Sequence, residues 1–316
     1  MTDWLLVAAG LALLLAAGDF LVKGAVNLSL RLGVPALIVS LTVVAFGTSA
    51  PELLISVQAI LEDAAGIAIG NVVGSNTANV LLVLGLPALL AGMATKGSDS
   101  RHSYIQMIAA TALFIVLCFL GPITWWHGLT LLVALAAMLI WAARQAMAHR
   151  AANGVIPLEE VEGANPDLPW WKIIGALVIG LIGLPLGADL LIRGATEIAR
   201  DFGLSDEMIG LTLVALGTSL PELATTVTAA FRRQTDVVMG NVIGSNLFNL
   251  LGIIGLAVLV GPIPVDPHML RFDLWVMAAA SLLLVPFVLW RWTMGRRWGV
   301  ALCALYVAYV ALVIAA

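Results

Sequence analysis

The chain has 316 residues, of which 61% are hydrophobic and only 11% are charged, and its formal net charge is −4 at pH 7. Soluble domains carry about a quarter charged residues, so this composition excludes an ordinary soluble protein and indicates an integral membrane protein. The two cysteines lie in separate apolar runs, which excludes a disulfide framework and a cysteine-rich metal site.

Ten apolar runs are long enough to cross a bilayer, which takes about 20 residues each. No basic stretch precedes the first run, so we interpret it as a span and not as a cleaved signal. In chain order the predicted spans are 4–30, 36–61, 66–91, 104–120, 124–147, 171–198, 206–231, 236–260, 272–290 and 297–315.

A polar segment with Gly, Pro and Asn, residues 148–169, separates the fifth and sixth spans. We interpret it as a cytoplasmic linker between two five-helix halves, residues 1–147 and 170–316. An offset of 170 residues aligns the two halves without a gap over their most unusual segments. It places GTSAPEL on GTSLPEL and GNVVGSNTAN on GNVIGSNLFN, within ion motifs at 45–79 and 215–249. Internal repeats of this kind are the commonest architecture of secondary transporters.

The distribution of basic residues predicts the orientation of the halves. Five spans per half is an odd number, so the second half must enter the membrane from the opposite side. With both termini outside, ten Lys and Arg residues fall in cytoplasmic segments and only Arg200 and Arg271 fall in external loops. This positive-inside bias predicts an N-out, C-out orientation. Together with the ten apolar runs and the repeat, it predicts an all-α membrane protein of ten helices in two inverted-topology repeats.

Each motif places a proline and a glutamate in the middle of a span. Pro51 lacks the N–H that would bond the carbonyl of Gly47, and free carbonyls within a bilayer are tolerated only where they line a cavity or meet a ligand. Thr48, Ser49 and Glu52 share one helix face at spacings of three and four. The carbonyl, hydroxyl and carboxylate groups of this motif all offer oxygen as the ligand atom. Oxygen ligands favour hard cations such as Ca²⁺ and Na⁺ and argue against zinc or copper.

The span that follows each glutamate adds further oxygens, because Ser75 and Asn79 are four residues apart on one face. Asn76 and Asn246 lie off that face, and we expect them to hydrogen-bond the ligands rather than the ions. The candidate ligands occur in pairs at the repeat offset: Glu52 and Glu222, Thr48 and Thr218, Ser49 and Ser219, Ser75 and Ser245, Asn79 and Asn249.

Packing alone explains only part of these motifs. Small residues and prolines are common where membrane helices approach each other or kink, which accounts for the glycines. It does not account for Glu52 and Glu222, because neither has a base within its motif and intramembrane acids usually serve function. Two other acids have a base four residues further on, and for these we expect structural ion pairs: Asp19–Lys23 and Asp189–Arg193.

The duplicated motifs resemble the two α-repeats of the calcium/cation antiporter superfamily, and they are most similar to those of prokaryotic sodium/calcium exchangers. The resemblance covers nearly the whole chain. It implies ten helices, with the second, third, seventh and eighth broken around an ion site at the middle of the membrane. It also implies that Glu52 and Glu222 bracket a Ca²⁺, that the hydroxyls serve Na⁺, and that the backbone carbonyls of Ala45 and Ala215 bind ions.

One position leaves the coupling ion open. Some prokaryotic sodium/calcium exchangers carry Asp where this chain has Asn249, whereas proton/calcium exchangers of the superfamily have paired neutral residues there. The two glutamates balance one Ca²⁺, two Na⁺ or two protons. The complete set of hydroxyls in both halves favours Na⁺, with H⁺ as the alternative.

Other classes of protein fit less well. A cation channel needs a continuous pore, and a non-transporting scaffold does not explain duplicated buried acids, whereas an inverted repeat fits alternating access. No segment resembles a nucleotide-binding loop. We therefore predict a Ca²⁺/Na⁺ antiporter of the plasma membrane, specifically a bacterial inner membrane, and not an enzyme. Its expected partners are lipid and the transported ions, with no cofactor, nucleotide or nucleic acid, and one chain is expected to be the functional unit.

Overall fold

The computed structural model describes residues 2–93, 100–153, 165, 167–201 and 217–315. Within these ranges the chain is helical, with two isolated β-bridges and no β-strand. The helices are α1 (Thr2–Leu32), α2 (Ala36–Thr48), α3 (Ala50–Leu61), α4 (Ala65–Ala91), α5 (Arg101–Phe119), α6 (Trp125–Asn153), α7 (Trp170–Asp201), α8 (Leu220–Phe231), α9 (Thr235–Ala257), α10 (Met269–Val288) and α11 (Arg296–Ala315).

The predicted spans agree closely with these helices. Within the described ranges, eight helices are individually long and apolar enough to cross a membrane, and α2 with α3 forms a ninth candidate that is bent by 41°. Of the predicted seventh span, α8 forms the end, and residues 206–216 lie outside the described residues. The helix α6 continues beyond the predicted fifth span, through residues 148–153 at the start of the predicted linker. That segment is polar but rich in alanine, so it favours helix beyond the apolar region.

The helices α1 and α7 pack together along most of their length. A Cβ added at Gly187 would lie 2.9 Å from the backbone nitrogen of Leu14, and one at Gly180 would lie 2.6 Å from Cβ of Leu21. The two backbones therefore approach more closely than larger side chains would allow. Small residues recur at every seventh position on both helices: Gly10, Ala17 and Gly24 on α1, and Gly180, Gly187 and Gly194 on α7.

Substitution of Gly187 by Ala is expected to lower the thermal stability of the protein in detergent. The new methyl group would overlap the backbone of Leu14, and overpacking of this kind costs about 1–3 kcal/mol. Gly175→Ala on the same helix is the matched control, since no described atom lies within 4 Å of its added Cβ. Melting curves of the two purified variants test this, and equal melting temperatures would contradict the close approach of α1 and α7.

Local backbone geometry recurs at the 170-residue offset. Ser49 interrupts the helix before α3 with φ −87° and ψ 6°, and Ser219 precedes α8 with φ −85° and ψ 1°. The turns that follow these two helices each contain a residue with positive φ at the equivalent position, Asp63 at 59° and Arg233 at 57°. The duplicated sequence therefore produces duplicated structure, including its unusual conformations.

The two isolated β-bridges also reflect the repeat. They join Met93 to Met294 and Ile123 to Ile263. An offset of 170 carries Met93 to Ile263, and an offset of 171 carries Ile123 to Met294, so the repeat converts one bridge into the other. Reciprocal contacts of this kind are expected between two halves that are related by an approximate two-fold axis.

Both predicted ion pairs are confirmed. Nζ of Lys23 lies 2.7 Å from Oδ2 of Asp19, and Nε of Arg193 lies 2.9 Å from Oδ1 of Asp189. Asp19 also accepts a hydrogen bond of 2.6 Å from Nε of Arg232, which follows the end of α8. This second partner, which sequence spacing does not reveal, ties α1 to α8.

Candidate ion-binding site

The predicted ligands converge where α2, α3, α4, α8 and α9 pack against one another. Ala215 lies outside the described residues. The others are all buried, none with more than 8% of its surface exposed: Ala45, Thr48, Ser49, Glu52, Ser75, Asn79, Thr218, Ser219, Glu222, Ser245 and Asn249.

The bend between α2 and α3 places Glu52 in the first turn of a new helix. Pro51 lies in the same turn, where a missing N–H leaves no hydrogen bond unmade. The amide of Ser49 still donates to the carbonyl of Ala45 at 3.1 Å, so the helix bends at Ser49 without unwinding. The carboxyl group of Glu52 is thereby directed into the core at the bend, where it is 1% exposed.

The carboxylate of Glu222 is held by hydroxyl groups from both halves. Its Oε1 accepts hydrogen bonds from Oγ of Ser49 at 3.0 Å and from Oγ of Ser245 at 3.4 Å. Within the described part of the chain, neither Glu222 nor Glu52 forms an ion pair with Lys, Arg or His. The site therefore contains two buried carboxylates whose charge no described protein cation neutralises.

Buried oxygens without hydrogen-bond partners are concentrated in this region. An unpaired buried polar group costs about 1–3 kcal/mol, so each one calls for an explanation. The described ranges contain seven such atoms, and the one outside the motifs is Oε1 of Gln106. The other six are Oε2 of Glu52, Oε2 of Glu222, Oγ of Ser219, and Oδ1 of Asn76, Asn79 and Asn249. A cluster of buried oxygens without protein partners is what a cation-binding site presents to its ion.

Asn71 and Asn241 are site residues that the sequence analysis missed. Nδ2 of Asn71 donates to the backbone carbonyl of Glu52 at 3.3 Å, and Nδ2 of Asn241 donates to that of Glu222 at 3.5 Å. Oδ1 of Asn241 also accepts a hydrogen bond of 3.3 Å from Thr48. The signal was present, because each asparagine lies four residues before the Ser and eight before the Asn of its motif, on the same helix face.

The expectation for Asn246 is confirmed and that for Asn76 is not. Nδ2 of Asn79 donates to Oδ1 of Asn246 at 3.0 Å, so Asn246 bonds a candidate ligand directly. Nδ2 of Asn76 instead donates to the backbone carbonyl of Asn246 at 3.2 Å. Asn76 thus fixes the backbone of the neighbouring helix.

The helices α4 and α9 contain π-helical segments where breaks were expected. The segments span Asn79–Val83 and Phe248–Ile253, and each helix is otherwise a continuous candidate span. Single π turns within α-helices occur frequently at functional sites, since the wider turn changes the direction of side chains and leaves backbone groups less tightly bonded. The candidate ligands Asn79 and Asn249 lie at the start of these segments.

The chemistry of this cluster fits a hard cation. Carboxylate, hydroxyl and amide oxygens are the ligands that Ca²⁺ and Na⁺ take in proteins, and Ca²⁺ accepts about six to eight of them. In the part of the chain that the structure describes, no three His, Cys, Asp or Glu side chains come together as a transition-metal site would require. The two carboxylates supply the charge that balances one divalent ion.

Known proteins share this architecture. A family model described as sodium/calcium exchanger protein matches residues 2–144 and 172–315. The sodium/calcium exchanger MaX1 of Methanosarcina acetivorans is 34% identical over 98% of this chain and 97% of its own length. The inner membrane protein YrbG of Escherichia coli is 32% identical over 97% of this chain and 95% of its own length. A solved structure of the sodium-calcium exchanger NCX_Mj, soaked with Na⁺ and Sr²⁺, gives a TM-score of 0.83 at 33% identity and covers 98% of both chains.

Proposed function

Because the chain belongs to the sodium/calcium exchanger family and is an integral protein of the plasma membrane, we propose that it exchanges Ca²⁺ for Na⁺ by alternating access. The observation that carries this proposal is the cluster of six buried oxygens without hydrogen-bond partners around Glu52 and Glu222. Unsatisfied polar groups in this number would destabilise a protein that used them for packing alone. A site that binds desolvated cations needs such oxygens.

The ligands divide by their chemistry. Glu52 and Glu222 bind Ca²⁺ between them, since two carboxylates match its charge. Na⁺ carries a smaller charge, and the hydroxyl and amide oxygens that adjoin the carboxylates coordinate it. The carbonyls of Ala45 and Ala215 are further ligands. The proposed Na⁺ ligands are Thr48, Ser49, Ser75, Asn79, Thr218, Ser219, Ser245 and Asn249. The amide oxygens of Asn79 and Asn249 also bind Ca²⁺ when it occupies the site, since Ca²⁺ takes about six to eight oxygen ligands.

The proposed arrangement in the membrane is N-out and C-out, with inverted halves at residues 1–147 and 170–316. The positive-inside bias supports the orientation, and the reciprocal β-bridges support the inversion of the halves. The bridge from Met93 to Met294 joins two segments that this topology places in the cytoplasm, and the bridge from Ile123 to Ile263 joins two that it places outside. Each bridge therefore links segments on the same side of the membrane.

Protons are the alternative coupling ion, because Asn249 leaves the site with two carboxylates that could carry two protons. The unpaired amide oxygens favour Na⁺ instead. Oδ1 of Asn79 and Oδ1 of Asn249 are buried, and no described group donates to them. Two protons need only the two carboxylates, whereas a bound Na⁺ takes several oxygen ligands, so the additional amide oxygens suit Na⁺ better.

Uptake of ⁴⁵Ca²⁺ into proteoliposomes tests the coupling ion. We expect vesicles loaded with Na⁺ and diluted into Na⁺-free buffer to accumulate Ca²⁺, and vesicles loaded with K⁺ or given only a pH gradient to accumulate none. Uptake driven by the pH gradient alone would replace Na⁺ by H⁺ in the proposal. Uptake without any counter-ion gradient would indicate a channel, and no uptake in any condition would contradict transport of Ca²⁺.

A further inference from the structure

The amide side chain of Asn79 has two ends that a cation would meet very differently. Its oxygen is a ligand, whereas its NH₂ group carries partial positive charge and repels a cation. Asparagine can present either end after a half-turn about its last bond. A cation site that uses asparagine therefore needs a second group that determines which end faces the ion.

The hydrogen-bond partner of Asn79, Asn246, determines which end of the amide is free. Nδ2 of Asn79 donates to Oδ1 of Asn246 at 3.0 Å, while Oδ1 of Asn79 is buried and accepts no hydrogen bond from any described residue. Asn246 is itself 1% exposed and lies on α9, across from Asn79 on α4. The acceptor on α9 thus retains the NH₂ group and leaves the oxygen of Asn79 for a ligand.

The orientation of Asn246 is fixed in turn by Met107. Nδ2 of Asn246 lies 3.6 Å from Sδ of Met107, a fully buried residue of α5. A thioether sulfur accepts hydrogen bonds but has none to donate. If the amide of Asn246 turned over, its oxygen would face the sulfur and its NH₂ group would face the NH₂ group of Asn79, so both contacts would be lost.

We propose that Asn246 is a positioning residue, held by Met107, that turns the oxygen of Asn79 toward the transported cation without touching the cation itself. The inference rests on the proposed function of the site. It extends the site to α5, a helix that carries no part of either ion motif. It also makes Asn79 an obligate acceptor, which is what a neutral amide needs in order to bind a cation.

A double-mutant cycle on purified full-length protein tests this role through Ca²⁺ affinity. Asn246→Leu removes the acceptor at similar volume, and it should weaken Ca²⁺ binding about tenfold, since one oriented ligand is lost. Asn79→Asp presents an oxygen at either end and no longer needs orienting. In the Asn79→Asp background, Asn246→Leu should therefore change the affinity by less than about threefold.

A second variant keeps the test independent of folding at position 246. Met107→Leu conserves volume and removes only the sulfur acceptor, so it should weaken Ca²⁺ binding about threefold in the otherwise wild-type protein and leave it unchanged in the Asn79→Asp background. Thr77→Val is the matched control, because Thr77 is buried on α4 and, among the described residues, its hydroxyl bonds only the carbonyl of Val73 on the same helix. Its affinity should equal that of the wild type.

The outcomes separate the inference from the proposed function. Equal losses in the wild-type and Asn79→Asp backgrounds, or no loss in either, would overturn the positioning role while the Ca²⁺ site stands. A wild-type protein that binds no ⁴⁵Ca²⁺ would overturn the proposed function, and the role of Asn246 with it. If Asn246→Leu and Met107→Leu weaken Ca²⁺ binding in the wild-type background but not in the Asn79→Asp background, and Thr77→Val has no effect, the positioning role of Asn246 and Met107 is supported.

Discussion

Replacement of Glu52 or Glu222 by Gln is expected to reduce Ca²⁺ transport more than about a hundredfold in either case. Both carboxylates are buried, and no described Lys, Arg or His pairs with them, so in the proposed mechanism a bound cation neutralises their charge. Gln keeps the shape of the side chain and removes one of the two charges that hold Ca²⁺. At short range in a medium of low polarity, one lost charge removes several kcal/mol of attraction.

The variants should still insert and purify, because a neutral amide is easier to bury in a membrane than a carboxylate. Glu62→Gln is the matched control. Glu62 follows α3, the helix that carries Glu52, but it is exposed and accepts a hydrogen bond from Gln58. Its flux should equal that of the wild type. Wild-type flux in either Glu52→Gln or Glu222→Gln would remove those residues from the site.

The features that sequence predicted well are those confined to one helix. Hydropathy located the described spans to within about three residues at every end except that of α6, because the length of a span is set by bilayer thickness. The bend after Thr48 followed from Pro51, and the ion pair between Asp19 and Lys23 followed from the spacing of four. In each case the local geometry of a helix fixes the contact before the chain folds.

The features that sequence did not predict join residues far apart in the chain. Arg232 meets Asp19 across 213 positions, and Met107 meets Asn246 across 139. Helix periodicity cannot supply these contacts, since they depend on how whole helices pack. The same limit applies to Asn71, whose position on the ligand face was visible but whose partner, the carbonyl of Glu52, lies 19 residues away on another helix.

The second large effect concerns movement of α1. If ions stay between Glu52 and Glu222 while access alternates, some helices must move relative to those that carry the ligands. The candidates are α1 and α7, since they hold no candidate ligand and pack closely on each other along a stripe of small residues, so that they can move together as one body. The helix α1 also contacts α8, which carries the candidate ligand Glu222. A Cβ added at Gly18 would lie 3.0 Å from Oγ1 of Thr228.

Two disulfides distinguish these contacts, each built in a Cys118→Ala, Cys303→Ala background that removes both native cysteines. Cysteines at Gly18 and Thr228 would join α1 to α8. Cysteines at Ala17 and Gly183 would join α1 to α7, where an added Cβ lies 2.8 Å from Cβ of Ala17. A disulfide spans about 3.8 Å between Cβ atoms, so the bond at Ala17 and Gly183 requires α1 and α7 to separate by about 1 Å. The pair at Gly18 and Thr228 is chosen because an added Cβ at Gly18 contacts the side chain of Thr228.

We expect the bond between α1 and α8 to stop Na⁺-dependent ⁴⁵Ca²⁺ uptake almost completely, and dithiothreitol to restore it. The bond between α1 and α7 should leave uptake within about twofold of the reduced protein, because two helices that move as one body are not hindered by being joined. The reduced form of each variant is its own control for the substitutions. Full exchange with α1 fixed to α8 would rule out movement between them, and a block by the bond between α1 and α7 would show that these helices slide past each other. Either result would still leave the ion site intact, because none of the four positions contributes an oxygen to it.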